Sequence, residues 1–165
     1  MRLLRRRTLI ITLFAFGALP LGAAQAAAPR PWATVNVCDT TSAPNTIGIR
    51  AWIPGARSAK RPRSLRFVVQ YYSETEKRWL PVAEGGDSGY LSVGTGTKAR
   101  QFGRSFRIDP MPGESVLLRG KVTVRSPGRD GVARYARVLT HGGHRETEFA
   151  DPAGYSDATC RISST

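Results

Sequence analysis

Val116-Leu117-Leu118-Arg119-Gly120-Lys121-Val122-Thr123-Val124-Arg125, followed by the turn Pro127-Gly128-Arg129-Asp130-Gly131 and a second run over 132–140, decides the fold. Leu118, Gly120, Val122 and Val124 alternate with Leu117, Arg119, Lys121, Thr123 and Arg125. A period of two belongs to a strand with one buried and one solvated face. Pro127, Gly128, Asp130 and Gly131 supply the turn chemistry that reverses the chain. The two runs therefore read as an antiparallel hairpin.

The same alternation recurs on either side. Residues 33–38 alternate through Val35 and Val37, and residues 47–53 put Ile47, Ile49, Ala51 and Ile53 on one face before Pro54-Gly55 stops them. Residues 65–73 put Leu65, Phe67, Val69 and Tyr71 opposite Arg66, Val68, Gln70 and Tyr72. A polar turn over 73–77 returns the chain into 78–82, with Trp79 and Leu80. Residues 102–108 place Phe102, Phe106 and Ile108 on one face, with Arg104 intruding, and residues 155–162 form a short last strand that delivers Cys160. Glycine, serine and threonine make 87–98 a flexible connection with a weak edge strand at 90–93. No window after the first segment sustains a 3.6-residue apolar period, so almost no helix is expected. The fold class is all-β: an antiparallel immunoglobulin-like or fibronectin-like sandwich of seven or eight strands, with a small barrel as the alternative. The core should hold Ile47, Ile49, Ile53, Phe67, Val69, Trp79, Phe106, Leu118, Val122, Val124 and Val138.

The first segment has the form of an export signal. Arg2, Arg5, Arg6 and Arg7 precede an apolar stretch over 9–21, and Ala24-Gln25-Ala26 is a small-x-small cleavage site. The expected organisation is a signal peptide over 1–26 and a single β-domain over 27–165. The apolar stretch is shorter than the ~20 residues of a spanning helix. Arg6-Arg7 loosely resembles a twin-Arg signal, and a Sec signal explains it equally well. Export places Cys38 and Cys160, the two cysteines of the chain, in an oxidising compartment, where a single disulfide tying the first structured segment to the last is expected.

Composition narrows the function classes. Of the 165 residues, 41% are hydrophobic, too many for a disordered tail and too few for a multi-span membrane protein. Two cysteines exclude a disulfide-dense miniprotein and a cysteine-based zinc module. The formal net charge is +13, and arginine outnumbers lysine 21 to 4. With abundant alanine, glycine and proline, that bias is first a codon effect of a GC-rich bacterial genome.

Trp32-Ala33-Thr34-Val35-Asn36-Val37-Cys38-Asp39-Thr40, then Pro44-Asn45-Thr46-Ile47-Gly48-Ile49-Arg50-Ala51, then Ile53-Pro54-Gly55, resembles the start of a group of uncharacterised small secreted β-sandwich proteins of GC-rich bacteria. The resemblance covers about a sixth of the chain. It implies a secreted, cysteine-bridged β-domain and supplies no functional residues.

Several motifs invite chemistry. His141-Gly142-Gly143-His144 brings two imidazoles close in sequence, with Glu146 and Glu148 nearby, but two ligands do not make a metal site and an exposed turn explains them. No Gly-x-Ser-x-Gly elbow is present, Asp87-Ser88-Gly89 has no histidine near it, and Gly94-Thr95-Gly96-Thr97-Lys98 lacks the spacing of a phosphate loop. No cofactor, metal ligand or catalytic residue is selected. The non-random feature is charge. Arg66, Arg119, Lys121 and Arg125 fall on the polar sides of neighbouring strands, with Arg134 and Arg137 expected beside them, and Lys60, Arg61 and Arg63 form a basic run. The acidic residues of 146–157 are candidates to lie across this patch. The reading is a secreted, non-enzymatic sandwich at the cell envelope or outside the cell, binding an anionic polymer or an acidic protein. Aromatic residues do not interleave regularly with the basic ones along the sequence, which argues against nucleic acid. The alternative is a secreted enzyme or enzyme inhibitor whose site forms only in space.

Overall fold

The computed structural model describes residues 29–56, 60–128 and 130–164; the expected signal peptide lies outside them. The strands are β1 (Trp32–Thr40), β2 (Ala43–Ile53), β3 (Arg63–Ser73), β4 (Arg78–Pro81), β5 (Leu91–Gly94), β6 (Arg100–Arg107), β7 (Ser115–Pro127), β8 (Ala133–Leu139) and β9 (Thr159–Ser163). They form two antiparallel sheets. One has the order β1-β2-β6; the other has β4-β3-β7-β8, with β5 also on β3 and β9 also on β7. No helix occurs among the described residues, and so none is long and apolar enough to cross a membrane.

The alternation read from the sequence explains the packing. Ala33, Val35, Ile47, Ile49, Ala51 and Ile53 from the three-stranded sheet share one buried cluster with Leu65, Phe67, Val69, Leu118, Val122, Val124 and Ile162 from the six-stranded sheet. Gly120 lies where the two sheets approach: a Cβ there would stand 2.7 Å from Ile49 Cδ1 and 2.7 Å from Thr140 Cγ2. The expected disulfide is present, with 5.4 Å between the Cα atoms of Cys38 and Cys160. It joins β1 to β9 and therefore joins one sheet to the other.

Two expected core residues are placed differently. Trp79 is half-buried opposite Tyr72, on the outer side of the six-stranded sheet; its strand is four residues long, too short for alternation to choose a face. Val138 points inward opposite Val122 but is only half-buried, because β8 is an edge strand. The nine strands exceed the expected seven or eight because β5, expected as a weak edge, pairs with β3. Between β4 and β5 the chain keeps company with β3: Val69 N donates to Gly86 O, Ser88 N donates to Phe67 O, and the Ser88 hydroxyl accepts from Phe67 N. That run fixes Asp87 against the outer face.

After β8 the chain straps the outside of the three-stranded sheet. Asp157 and Val35 exchange backbone hydrogen bonds, His141 N donates to Ala33 O, and Asp151 N donates to Asn36 O. The Asn36 side chain donates to the carbonyls of Glu148 and Phe149. Gln101 on β6 donates to Glu146 O and accepts from Glu148 N. This strap is why the polar residues Thr34 and Asn36 are buried on the side of β1 that alternation assigns to solvent.

Candidate anion-binding face

The basic residues gather because register puts them on one side of one sheet. Ser64, Arg66, Val68 and Gln70 on β3 stand opposite Arg125, Thr123, Lys121 and Arg119 on β7. Thr123 and Arg125 in turn stand opposite Arg137 and Tyr135 on β8. Residues whose Cα atoms pair across a sheet point to the same face, so Arg66, Arg119, Lys121, Arg125 and Arg137 share it. Neighbouring strands are about 4.8 Å apart and alternate residues along a strand about 6.8 Å apart, which sets the grid on which these charges sit. Arg134 has the opposite parity, opposite Ser126, and pairs with Asp130 instead; it does not join the face expected for it.

Aromatic rings hold the guanidinium groups in place. Arg119 lies 4.3 Å above the Trp79 ring and donates to Gln70 Oε1 at 3.0 Å. Arg66 and Arg125 lie 5.9 and 5.7 Å from the centre of the Tyr90 ring. Such stacking favours the cation and leaves the N–H edges as donors. Burial pulls the Arg119 guanidinium below its ordinary value. In space, therefore, aromatic residues do stand among the basic ones, although sequence order conceals it.

Asp87 is the acid fixed on this face. Arg66 Nε donates to its two carboxylate oxygens at 2.9 and 3.0 Å, and Arg66 Nη2 donates to Oδ2 as well. Gly89 N adds a backbone donor at 2.9 Å. The Arg66 hydrogen bond holds the Asp87 carboxyl below its ordinary value, with Gly89, Arg66 and Lys121 adding to the effect against desolvation. The same hydrogen bond raises Arg66.

The basic run at 60–63 has another use. Arg63 is buried at the start of β3 and donates to Pro54 O, and Arg61 donates to Gly128 O. Both guanidinium groups tie loops together. Lys60 is exposed beside them. Arg63 and Arg125 line a shallow groove of about 330 Å³ at this end of the sheet, which is the link between the run and the face. The acidic segment 146–157 does not cover the face. Its contacts go to β1, β2 and β6: beyond the bonds of Asn36 and Gln101, Arg50 lies 4.9 Å from the Phe149 ring and Asp151 accepts from the hydroxyls of Thr40 and Ser42.

The histidines end up near the strap. His144 stacks on Trp32 with ring centres 4.1 Å apart, and Trp32 lies parallel to Trp52 at 6.4 Å. Among the described residues no group of three His, Cys, Asp or Glu side chains is arranged to hold a metal ion. Compared with known proteins, the chain matches no protein-family model and none of the curated proteins.

Proposed function

We propose that the protein is exported, loses residues 1–26, and acts as a non-enzymatic immunoglobulin-like or fibronectin-like sandwich at the cell envelope or outside the cell. Its basic sheet face binds an anionic polymer. The observation that supports this best is the register of β3, β7 and β8, which sets Arg66, Arg119, Lys121, Arg125 and Arg137 on one face with Asp87 against them. Like charges held on one sheet repel one another, and a polyanion laid across them relieves that repulsion. A cross-sheet disulfide suits an oxidising compartment.

A polymer fits better than a single small anion. The cations spread along and across three strands rather than converging in an enclosed pocket.

The test is retention on an immobilised polyanion across a salt gradient. Lys121→Glu with Arg125→Glu should elute at much lower salt than the parent. Arg104→Glu with Arg107→Glu, an equal charge change on β6 of the other sheet, should elute close to the parent. Equal losses in both variants would reduce the effect to net charge and defeat the reading.

A further inference from the structure

A cleft of about 480 Å³ opens at the β8 margin, lined by Pro31, Trp32, Arg137, Val138, Leu139, His141, Gly142 and His144. We propose that this cleft is a separate site for one oxyanion group, a phosphate or a carboxylate, held by Arg137 and the two imidazoles.

The lining carries the argument. Arg137, His141 and His144 are its charged or titratable members, and among the described residues no carboxylate lines it. Arg137 is exposed and has no ion pair or hydrogen bond among the described residues, unlike Arg61, Arg63, Arg66 and Arg119, whose guanidinium groups are all engaged. His144 is fixed in place: its ring stacks on Trp32, its backbone N–H donates to the Ser156 hydroxyl at 2.9 Å, and its carbonyl accepts from the Thr147 hydroxyl. Its Nε2 is buried and has no hydrogen-bond partner among the described residues, so an anion reaches it only with a small local shift of the ring. Burial, with His141 adding to it, lowers the His144 imidazole below its ordinary value. An anion opposes that shift, because a protonated imidazole donates from both nitrogens. A planar guanidinium fork beside two imidazoles is a donor set for oxyanions.

The site differs from the basic face in chemistry and position. Arg137 projects between them, but the cleft is floored by Trp32 and His144 of the strap region, which the face does not use. The motif His141-Gly142-Gly143-His144 gains a role here without a metal: the two glycines let the chain turn the second imidazole onto Trp32, and Gly143 takes a positive φ of 86°.

The experiment uses the full chain with its disulfide intact, isotope-labelled at histidine. Glycerol phosphate and glucuronate are titrated separately at about pH 6, near the ordinary imidazole value, with methyl glucoside as the uncharged control. The ring Cε1–H resonances of His141 and His144 should both move and saturate with at least one anion. Which anion does so identifies the preferred oxyanion. The affinity should weaken as pH rises through the imidazole range. Arg137→Gln should weaken it about tenfold or more, the usual consequence of losing a charged donor. His141→Ala, a change at an exposed turn, should weaken it too and guards against a folding defect in the first variant. Lys77→Gln, an exposed change in the turn before β4 and outside both the cleft lining and the basic face, should leave it unchanged. Absence of saturable movement with both anions, or equal movement with methyl glucoside, overturns the proposal. Loss of polyanion retention by the face has no bearing on these signals, so the two ideas fail separately.

Discussion

Breaking the bridge between Cys38 and Cys160 tests how the two sheets are held together. The sulfurs join residues 122 apart in sequence. In the chain-entropy account, a loop of that length removes about 5 kcal/mol of freedom from the unfolded chain, and measured yields are commonly nearer 3 kcal/mol. In a domain of this size each kcal/mol moves Tm by about 3 °C, so reduction should lower Tm by about 9–15 °C. The cleanest comparison is the parent chain oxidised and fully reduced, because no side chain changes. Cys38→Ala with Cys160→Ala provides a second comparison, with an added packing loss at Cys160, which is 1% exposed. Calorimetry gives the shift, and urea unfolding should show a larger m for the reduced form, whose unfolded ensemble exposes more surface. A fall in Tm of less than about 3 °C would refute the reasoning, since by the same conversion the bridge would then be worth about 1 kcal/mol or less.

Gly120→Ala should cost about 1–3 kcal/mol in urea unfolding, because the new methyl meets Ile49 across the sheet interface and Thr140 beside it; an unchanged midpoint would show the sheets can part there without loss. Asn36→Ala should cost about 1–3 kcal/mol and raise hydrogen exchange at the Asp151 and Asp157 amides, since it removes the side chain that holds two strap carbonyls; unaltered exchange would show that the strap is held by other means. Asp87→Asn should destabilise the protein at neutral pH and match the parent in acid. The folded carboxyl lies below its ordinary value of 3.8, so its stabilisation is complete above that value and fades as pH falls through the folded one; a deficit that persists in strong acid would contradict the Arg66 pairing.

The long strands were legible because their alternation is long. Ile47, Ile49 and Ile53, or Leu118, Val122 and Val124, leave a single consistent buried face, and the structure buries all six. Trp79 was not legible: four residues of β4 fit either face, and the ring lies outside, under Arg119. The basic face was legible as parity along single strands. Arg134 and Arg137 are three residues apart, so parity admits only one of them to the face, and register, which local sequence does not encode, selects Arg137. Tyr90 and Asp87 belong to it through the path of 86–88 along β3, a contact between segments some twenty residues apart. Arg63 shows the limit of reading charge as exposure. Arg63 is buried, and its guanidinium donates to the Pro54 carbonyl. The strap was invisible for a similar reason. Its backbone pairs with β1 through isolated bridges, without the run of alternating residues that marks a strand.

The central claim is that an anionic polymer lies across β3, β7 and β8. Arginine footprinting tests it most directly: the protein is treated with an arginine-specific dicarbonyl reagent with and without a saturating anionic polymer at physiological salt, and each site is quantified by mass spectrometry. Arg125 and Arg137, exposed on the face, should be strongly protected by the polymer, and Arg66 and Arg119 less so because Asp87 and Trp79 already shield them. Arg104 and Arg107 on β6, both exposed, should react as fast with polymer as without it. Protection spread evenly over all exposed arginines, or concentrated on β6, would contradict the account.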